Sequence, residues 1–157
     1  MAVIREKKHR LPAESYRGPV AVAFTACIRY RTAAFVDAEI VRECEEVLLL
    51  EAGKSHCEVI AYVFMPDHCH IILQGKDDQA DAMAAMVRFK QKTGYWFSKK
   101  HPELRWQKDF YDRYLRDEKD VERQVAYVLA NPVRKGMVEN WGDYPFCGST
   151  VHHFDDR

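Results

Sequence analysis

The segment at positions 57–74, CEVIAYVFMPDHCHIILQ, constrains the fold of this chain more than any other stretch. Two runs rich in β-branched and aromatic residues flank Pro66 and Asp67, a pair that favours a tight turn. We therefore predict a β-hairpin whose second strand begins at His68. Alternate residues of a strand point to the same face, so His68 and His70 should project together.

Two imidazoles on one face of a strand can bind a divalent cation. Cys69 lies between them and should point to the opposite face. The simpler alternative is a pair of ordinary histidines, one half-buried and one solvated, because short motifs also arise by chance. The H-x-H spacing by itself leaves both interpretations open.

The composition is that of one folded domain. The chain has 157 residues, of which 47% are hydrophobic and 31% charged, which is enough for a single core. We expect one domain over 1–157, with a basic N-terminal arm at 1–18, a core at 19–131 and a C-terminal tail at 132–157.

The chain should be cytoplasmic and have no membrane partner. No apolar run approaches the ~20 residues that cross a bilayer, and the first ten residues lack the apolar segment of a secretory signal. The five cysteines are scattered without a C-x-x-C pair, which indicates reduced thiols rather than a zinc ribbon.

Charge is unevenly distributed along the chain, although the net charge is zero. Residues 1–31 contain seven Lys or Arg against two acids, and residues 88–113 contain eight against three. Residues 37–51 reverse the balance, with one Arg against six acids. Such segregation favours local binding of a polyanion, although each run is also compatible with an ordinary solvated face.

Hydrophobic periodicity predicts the order β-α-β-β-α-β-α. The segments are a strand at 20–30, a helix at 37–52 capped by Asp37 and followed by Gly53, the two hairpin strands, a helix opening at 77–78, a strand at 106–115 and a helix at 120–130 that ends at Asn131-Pro132. The first six elements form a ferredoxin-like split βαβ fold of the α+β class. We therefore predict a four-stranded antiparallel sheet with two helices on one face, and an additional C-terminal helix near the other face.

The last predicted helix carries Tyr127 and, four residues later, Asn131, so both side chains should lie on one face. A tyrosine hydroxyl is a possible nucleophile, and an amide oxygen is a possible ligand for a hard cation. A buried helix tyrosine and a helix C-cap before Pro132 are equally consistent with the spacing.

Three separated segments match one known pattern. MPDHCHIIL, WQKDFYDRYLR and YVLANPVRKGMV occur in this order. They resemble the M-P-N-H-x-H-hydrophobic, W-Q-x-x-F-x-D-x-x-x-R and Y-[IV]-x-x-N-P-V-[RK]-x-G-[LM]-V segments of the single-tyrosine transposases of the HUH nuclease superfamily. The combination is typical of the REP-associated tyrosine transposase branch, and the resemblance covers about residues 11–138.

The resemblance implies a role for each matching residue. Tyr127 corresponds to the nucleophile on a catalytic helix at 118–131, His68 and His70 to the paired metal ligands, and Asn131 to a third, amide ligand. Mg²⁺ or Mn²⁺ would suit this donor set. This chain has Cys69 and Asp67 where a bulky hydrophobe and an asparagine are more usual, and we expect Asp67 to be a turn variant only.

The implied function is metal-dependent cleavage and rejoining of single-stranded DNA, at REP-like hairpins, through a covalent 5′-phosphotyrosine intermediate. A non-cleaving DNA-binding protein on the same fold and a metal hydrolase without a covalent step are the alternatives. The sequence also leaves open whether a homodimer exchanges the catalytic helix between its subunits. Nine basic residues are candidate contacts with DNA: Arg5, Lys7, Lys8, Arg10, Lys90, Lys92, Lys108, Arg113 and Arg134.

Overall fold

A computed structural model describes residues 10–152 of the chain. The seven predicted elements occur in the predicted order and are followed by a short helix and a short strand. The bounds are β1 Ala21–Cys27, α1 Ala38–Lys54, β2 Cys57–Met65, β3 His68–Gly75, α2 Ala82–Lys100, β4 Tyr111–Leu115, α3 Glu118–Leu129, α4 Asn131–Arg134 and β5 Cys147–Gly148.

The strands form one antiparallel sheet in the order β4-β1-β3-β2-β5. The mixed α+β, ferredoxin-like fold is therefore confirmed, but the sheet has five strands instead of the predicted four. The extra strand, β5, pairs with Tyr62 and Val63 at the edge of β2. A strand of two residues carries no readable periodicity, which is why the sequence pattern did not indicate it.

The hairpin of β2 and β3 forms as predicted, with Met65 opposite His68 and Pro66-Asp67 as the two-residue turn. The neighbouring loop holds this turn through main-chain hydrogen bonds. The Ile28 amide donates to the Asp67 carbonyl at 2.9 Å, and the amides of residues 34 and 35 donate to the Pro66 carbonyl. These backbone contacts fix the turn against the neighbouring loop independently of its side chains.

The helices α1 and α2 cover one face of the sheet and enclose the larger core. Cys69 packs in this core, which confirms that it points away from the two histidines. Trp106, which we expected inside a strand, also belongs to the core, where its indole N–H donates to Thr93 Oγ1 at 2.8 Å. Its backbone makes only an isolated bridge to Ile28, so the regular strand is limited to β4.

The structure corrects two predicted helix ends. Asp81, not Asp77 or Asp78, caps α2, because its carboxylate accepts from the Ala84 amide at 3.0 Å. At the end of α1, the helix runs past Gly53 to Lys54. The left-handed residue that follows is His56, with φ of 56°.

The opposite face of the sheet is covered by α3 and the C-terminal segment. Val128 and Leu129 of α3 pack with small and branched side chains of the inner strands, and Tyr144 and Cys147 extend the same cluster. The helix ends at Leu129, just before the predicted end at 130–131. Asn131 begins α4, and Pro132 occupies the first turn of α4, where a missing amide hydrogen costs nothing. This docking brings the C-terminal end of α3 to the histidine-bearing face.

Within residues 10–152, the structure has no helix that is both long enough and apolar enough to cross a bilayer. All five cysteines are free and buried. Tyr16, from the segment predicted as an N-terminal arm, is 1% exposed and lies in the helix-side core.

Candidate active site

His68 is enclosed and has a partner at each ring nitrogen. Its Nδ1 lies 2.7 Å from Asp67 Oδ1, and its Nε2 lies 3.4 Å from the Asn131 amide nitrogen. A carboxylate only accepts hydrogen bonds, so it favours the tautomer with the proton on Nδ1. The Nε2 lone pair is then directed at Asn131.

His70 lies beside His68 with a ring-centroid separation of 5.0 Å and an interplanar angle of 86°. Its Nδ1 is 2.9 Å from Thr25 Oγ1, because Thr25 is its direct cross-strand neighbour on β1. If Thr25 accepts the Nδ1 proton, Nε2 of His70 is also unprotonated. Both imidazoles then present a basic nitrogen on the same face of the sheet.

Both histidines have a lowered pKa, which favours the neutral imidazole. Burial lowers the pKa of His70 to about 3, and the charges of His68 and Arg134 act in the same direction. Burial also lowers the pKa of His68, against the opposite effect of the Asp67 carboxylate. A neutral imidazole is the form that binds a metal ion, so the lowered pKa values are compatible with the predicted role of the pair.

Acid should destabilise the protein through these histidines. An unfolded histidine has a pKa of about 6.5, so below that pH the unfolded chain binds protons that folded His70 does not. The free energy of unfolding should then fall from pH 6.5 towards pH 5 by at most about 1.4 kcal/mol per pH unit for each imidazole. Urea unfolding across this range measures the slope.

The variant His70→Gln should flatten that slope. The pKa of Asp67 is lowered below its usual value, because its bonds to Arg31 and His68 outweigh burial. Asp67 therefore loses its contribution to the free energy of unfolding only at lower pH. An unaltered slope in His70→Gln would show that the buried imidazole does not control acid stability.

Tyr127 lies on the exposed side of α3, with 56% of its surface accessible. The guanidinium carbon of Arg134 sits 4.0 Å from the centroid of its ring. The same arginine is close enough to His70 to affect its pKa. Arg134 therefore links the phenol to the histidine pair within a single chain.

The three predicted ligands fit a divalent cation in their donor chemistry. Within residues 10–152 no group of three His, Cys, Asp or Glu is arranged to hold a metal ion, so a third protein ligand has to come from another residue type. Asn131 is the predicted residue for this position, and a rotation of its side-chain amide by about 180° would place Oδ1 instead of Nδ2 next to His68. Asn131 is 5% exposed and is held at the start of α4.

Several of the basic DNA-contact candidates are engaged within the protein. Arg10 pairs with Asp112 at 2.7 Å and also donates to the Phe110 carbonyl. The Lys90 ammonium donates to the carbonyl of Gln107 at 2.7 Å. These contacts hold the loop before β4, and a role in DNA binding remains a prediction for both residues.

Lys92 lies on the helix-covered side of the molecule, where its Nζ is 2.7 Å from the buried Glu51 carboxylate. Arg113 contacts Asp120 and Gln124 of α3, and Lys108 is exposed in the loop before β4. Of the six candidates within residues 10–152, Arg134 is the one that the structure brings to the histidine pair. Three others lie outside the described residues: Arg5, Lys7 and Lys8.

Three residues near the histidines were not predicted to have a role there. Thr25 and Arg31 approach from β1 and the following loop, and Asp67 was expected only to form the turn. The sequence contained little indication of Thr25, because placing it beside His70 requires knowledge of the register of β1 against β3. A signal was available for Asp67, because an acidic residue directly before His68 can form a hydrogen bond with its imidazole.

Residues 19–128 match the family described as "Transposase IS200 like". The chain belongs to this transposase family. A Haemophilus influenzae protein assigned as a REP-associated tyrosine transposase is 27% identical over 134 residues, covering 78% of this chain and 76% of that protein. The Escherichia coli REP-associated tyrosine transposase is 30% identical over 95 residues, which span 60% of this chain and 54% of the relative. These relatives confirm the predicted family and branch.

A solved structure of a REP-associated tyrosine transposase bound to a REP hairpin has the same fold as this transposase-family chain. The TM-score is 0.73 at 23% identity, and the match covers 90% of this chain and 81% of that one.

Proposed function

We propose that this protein cleaves and rejoins single-stranded DNA through a covalent link to Tyr127. The observation that carries the proposal is that Arg134 stands between the phenol and the histidines: its guanidinium carbon is 4.0 Å from the centroid of the exposed Tyr127 ring, and its charge acts on His70. His70 lies beside His68, which is 3.4 Å from Asn131. The family of the chain is one of transposases, which supports this use of the site.

In the proposed step, the Tyr127 hydroxyl oxygen attacks the phosphorus of a phosphodiester in line with the bond to the 3′ oxygen. The new bond joins tyrosine oxygen to phosphorus and the bond from phosphorus to the 3′ oxygen breaks. The phenol proton passes to solvent, which is accessible at Tyr127, and the departing 3′ oxygen takes a proton from solvent. The product is a 5′-phosphotyrosine and a free 3′-OH. Attack by another 3′-OH reverses the step, so strands are rejoined without an external energy source.

The residues around Tyr127 have defined tasks in this reaction. Arg134 lies against the ring and provides positive charge where a phenolate and a phosphate would meet. A Mg²⁺ or Mn²⁺ ion held by His68, His70 and Asn131 would neutralise phosphate charge and stabilise the departing oxygen. The neutral state of both imidazoles keeps their nitrogens available for that ion.

We propose that the substrate is hairpin DNA with a single-stranded flank. The solved relative with this fold is bound to a REP hairpin, and a flexible strand can bring its phosphate to Tyr127 where a rigid duplex cannot. The side chains suited to track the phosphates are Arg113, which is exposed beside α3, and Arg134. Aromatic and basic groups together are the usual means of holding a single strand.

The test is to incubate the protein with Mn²⁺ and an end-labelled hairpin that carries single-stranded flanks. The proposal predicts a protein–DNA adduct that survives denaturation, and a chelator added beforehand should abolish it. A blunt duplex of the same sequence is the control substrate. Hairpin binding with no adduct under any metal condition would instead identify a non-cleaving DNA-binding protein.

A further inference from the structure

Asp67 has more contacts than a turn requires. Its Oδ1 lies 2.7 Å from His68 Nδ1, while its carboxylate receives Nε of Arg31 at 2.9 Å and a second guanidinium nitrogen at 3.3 Å. Arg31 and Asp67 are each 24% exposed in their side chains, and His68 is 8% exposed. The guanidinium, the carboxylate and the imidazole thus form one partly enclosed chain of charge-assisted hydrogen bonds.

The loop that supplies Arg31 is held in an unfavourable backbone conformation. Tyr30 and Arg31 have φ values of 62° and 55°, in the left-handed region that non-glycine residues seldom adopt. A strained backbone conformation of this kind persists only where the surrounding contacts impose it. Here the Arg31 amide donates to the Ile28 carbonyl, and its side chain clamps the carboxylate that faces His68.

An asparagine at position 67 could not make the same set of contacts. It offers one amide oxygen, which is uncharged. Its NH₂ group would face either Arg31, as a donor facing a donor, or His68 Nδ1, which would then have to be unprotonated. A carboxylate accepts from both partners at once and fixes which ring nitrogen of His68 carries the proton. The carboxylate at position 67 therefore determines where the proton of His68 sits, an effect that formation of the turn does not require.

We infer that Asp67, clamped by Arg31, is a positioning residue that holds His68 as the Nδ1-protonated tautomer with Nε2 directed at Asn131. The inference rests on the proposed function in one respect: Nε2 is the atom that would contact the cation. The tautomer itself does not depend on the cation, so the metal-free protein should already show it.

The first experiment records the imidazole ¹⁵N resonances of the metal-free protein near pH 7.5. Wild type should show His68 with a protonated Nδ1 and an unprotonated Nε2. Asp67→Ala removes the acceptor, and its His68 should become mainly protonated on Nε2 or exchange between the two forms. The main-chain bonds that hold the turn remain in this variant, and circular dichroism verifies that it is folded.

The second experiment measures Mn²⁺ affinity by titration calorimetry. Asp67→Asn should weaken binding by about 10- to 100-fold, the range expected when the group that orients a metal-bound histidine is lost. The matched control is Asp77→Asn, which alters an exposed carboxylate 3.0 Å from a different imidazole, His56. That control should bind Mn²⁺ like wild type.

The outcomes separate the inference from the proposed function. An Nε2-protonated His68 in wild type, or a tautomer unchanged in Asp67→Ala, overturns the positioning role. Equal Mn²⁺ affinity in wild type and Asp67→Asn does so as well. If wild type shows the expected tautomer but binds no Mn²⁺ or Mg²⁺, the positioning role stands and the metal-dependent function fails.

Discussion

Tyr127→Phe should abolish the denaturation-resistant DNA adduct and lower strand cleavage by at least about a thousandfold, because the variant lacks the only atom that forms the covalent bond. The fold should not change, since the side chain is 56% exposed and phenylalanine keeps the ring that Arg134 contacts. Denaturing gels of labelled hairpin reactions measure both quantities, and a filter assay measures hairpin affinity.

The control for this variant is Tyr95→Phe, which removes another exposed tyrosine hydroxyl, on α2 at the opposite face of the sheet. It should cleave like wild type. Cleavage that persists without an adduct in Tyr127→Phe would favour a metal hydrolase that uses water as the nucleophile. An adduct that persists in the variant would place the nucleophile on another residue.

Loss of either histidine should have the second large effect. His68→Ala and His70→Ala should each weaken Mn²⁺ binding by more than about 100-fold, since residues that merely orient a ligand already account for 10- to 100-fold. Cleavage should fall in parallel. Calorimetry and the adduct assay measure the two effects, and His56→Asn is the control because its imidazole pairs with Asp77 away from the site.

Mixing two inactive variants tests whether the site is built within one chain. The structure docks α3 on the sheet of its own chain, with Val128 and Leu129 in the shared cluster, so Tyr127→Phe mixed with His70→Ala should stay inactive. Recovery of the adduct in the mixture would show that subunits exchange the helix. Normal metal affinity in His68→Ala or His70→Ala would remove that histidine from the proposed ligand set.

The hairpin illustrates what local sequence could predict. A turn pair between two β-rich runs defined β2, β3 and the common direction of His68 and His70, because strand periodicity depends only on positions along the chain. Helix ends were predicted less well. Several acidic residues near the start of α2 could cap it. In the structure Asp81 accepts from the Ala84 amide at the cap, while Asp77 accepts from the Gln79 amide in the preceding loop.

The sequence by itself determined the order of the first seven elements, the pairing of the histidines and, through three separated motifs, the family. These features depend on periodicity and on residues that are close along the chain. Only the tertiary structure decided that Arg31 reaches Asp67, that Asn131 meets His68 and that Arg134 lies over Tyr127. Such contacts depend on strand register and on how α3 and α4 dock, which are set by packing between residues as many as 63 positions apart.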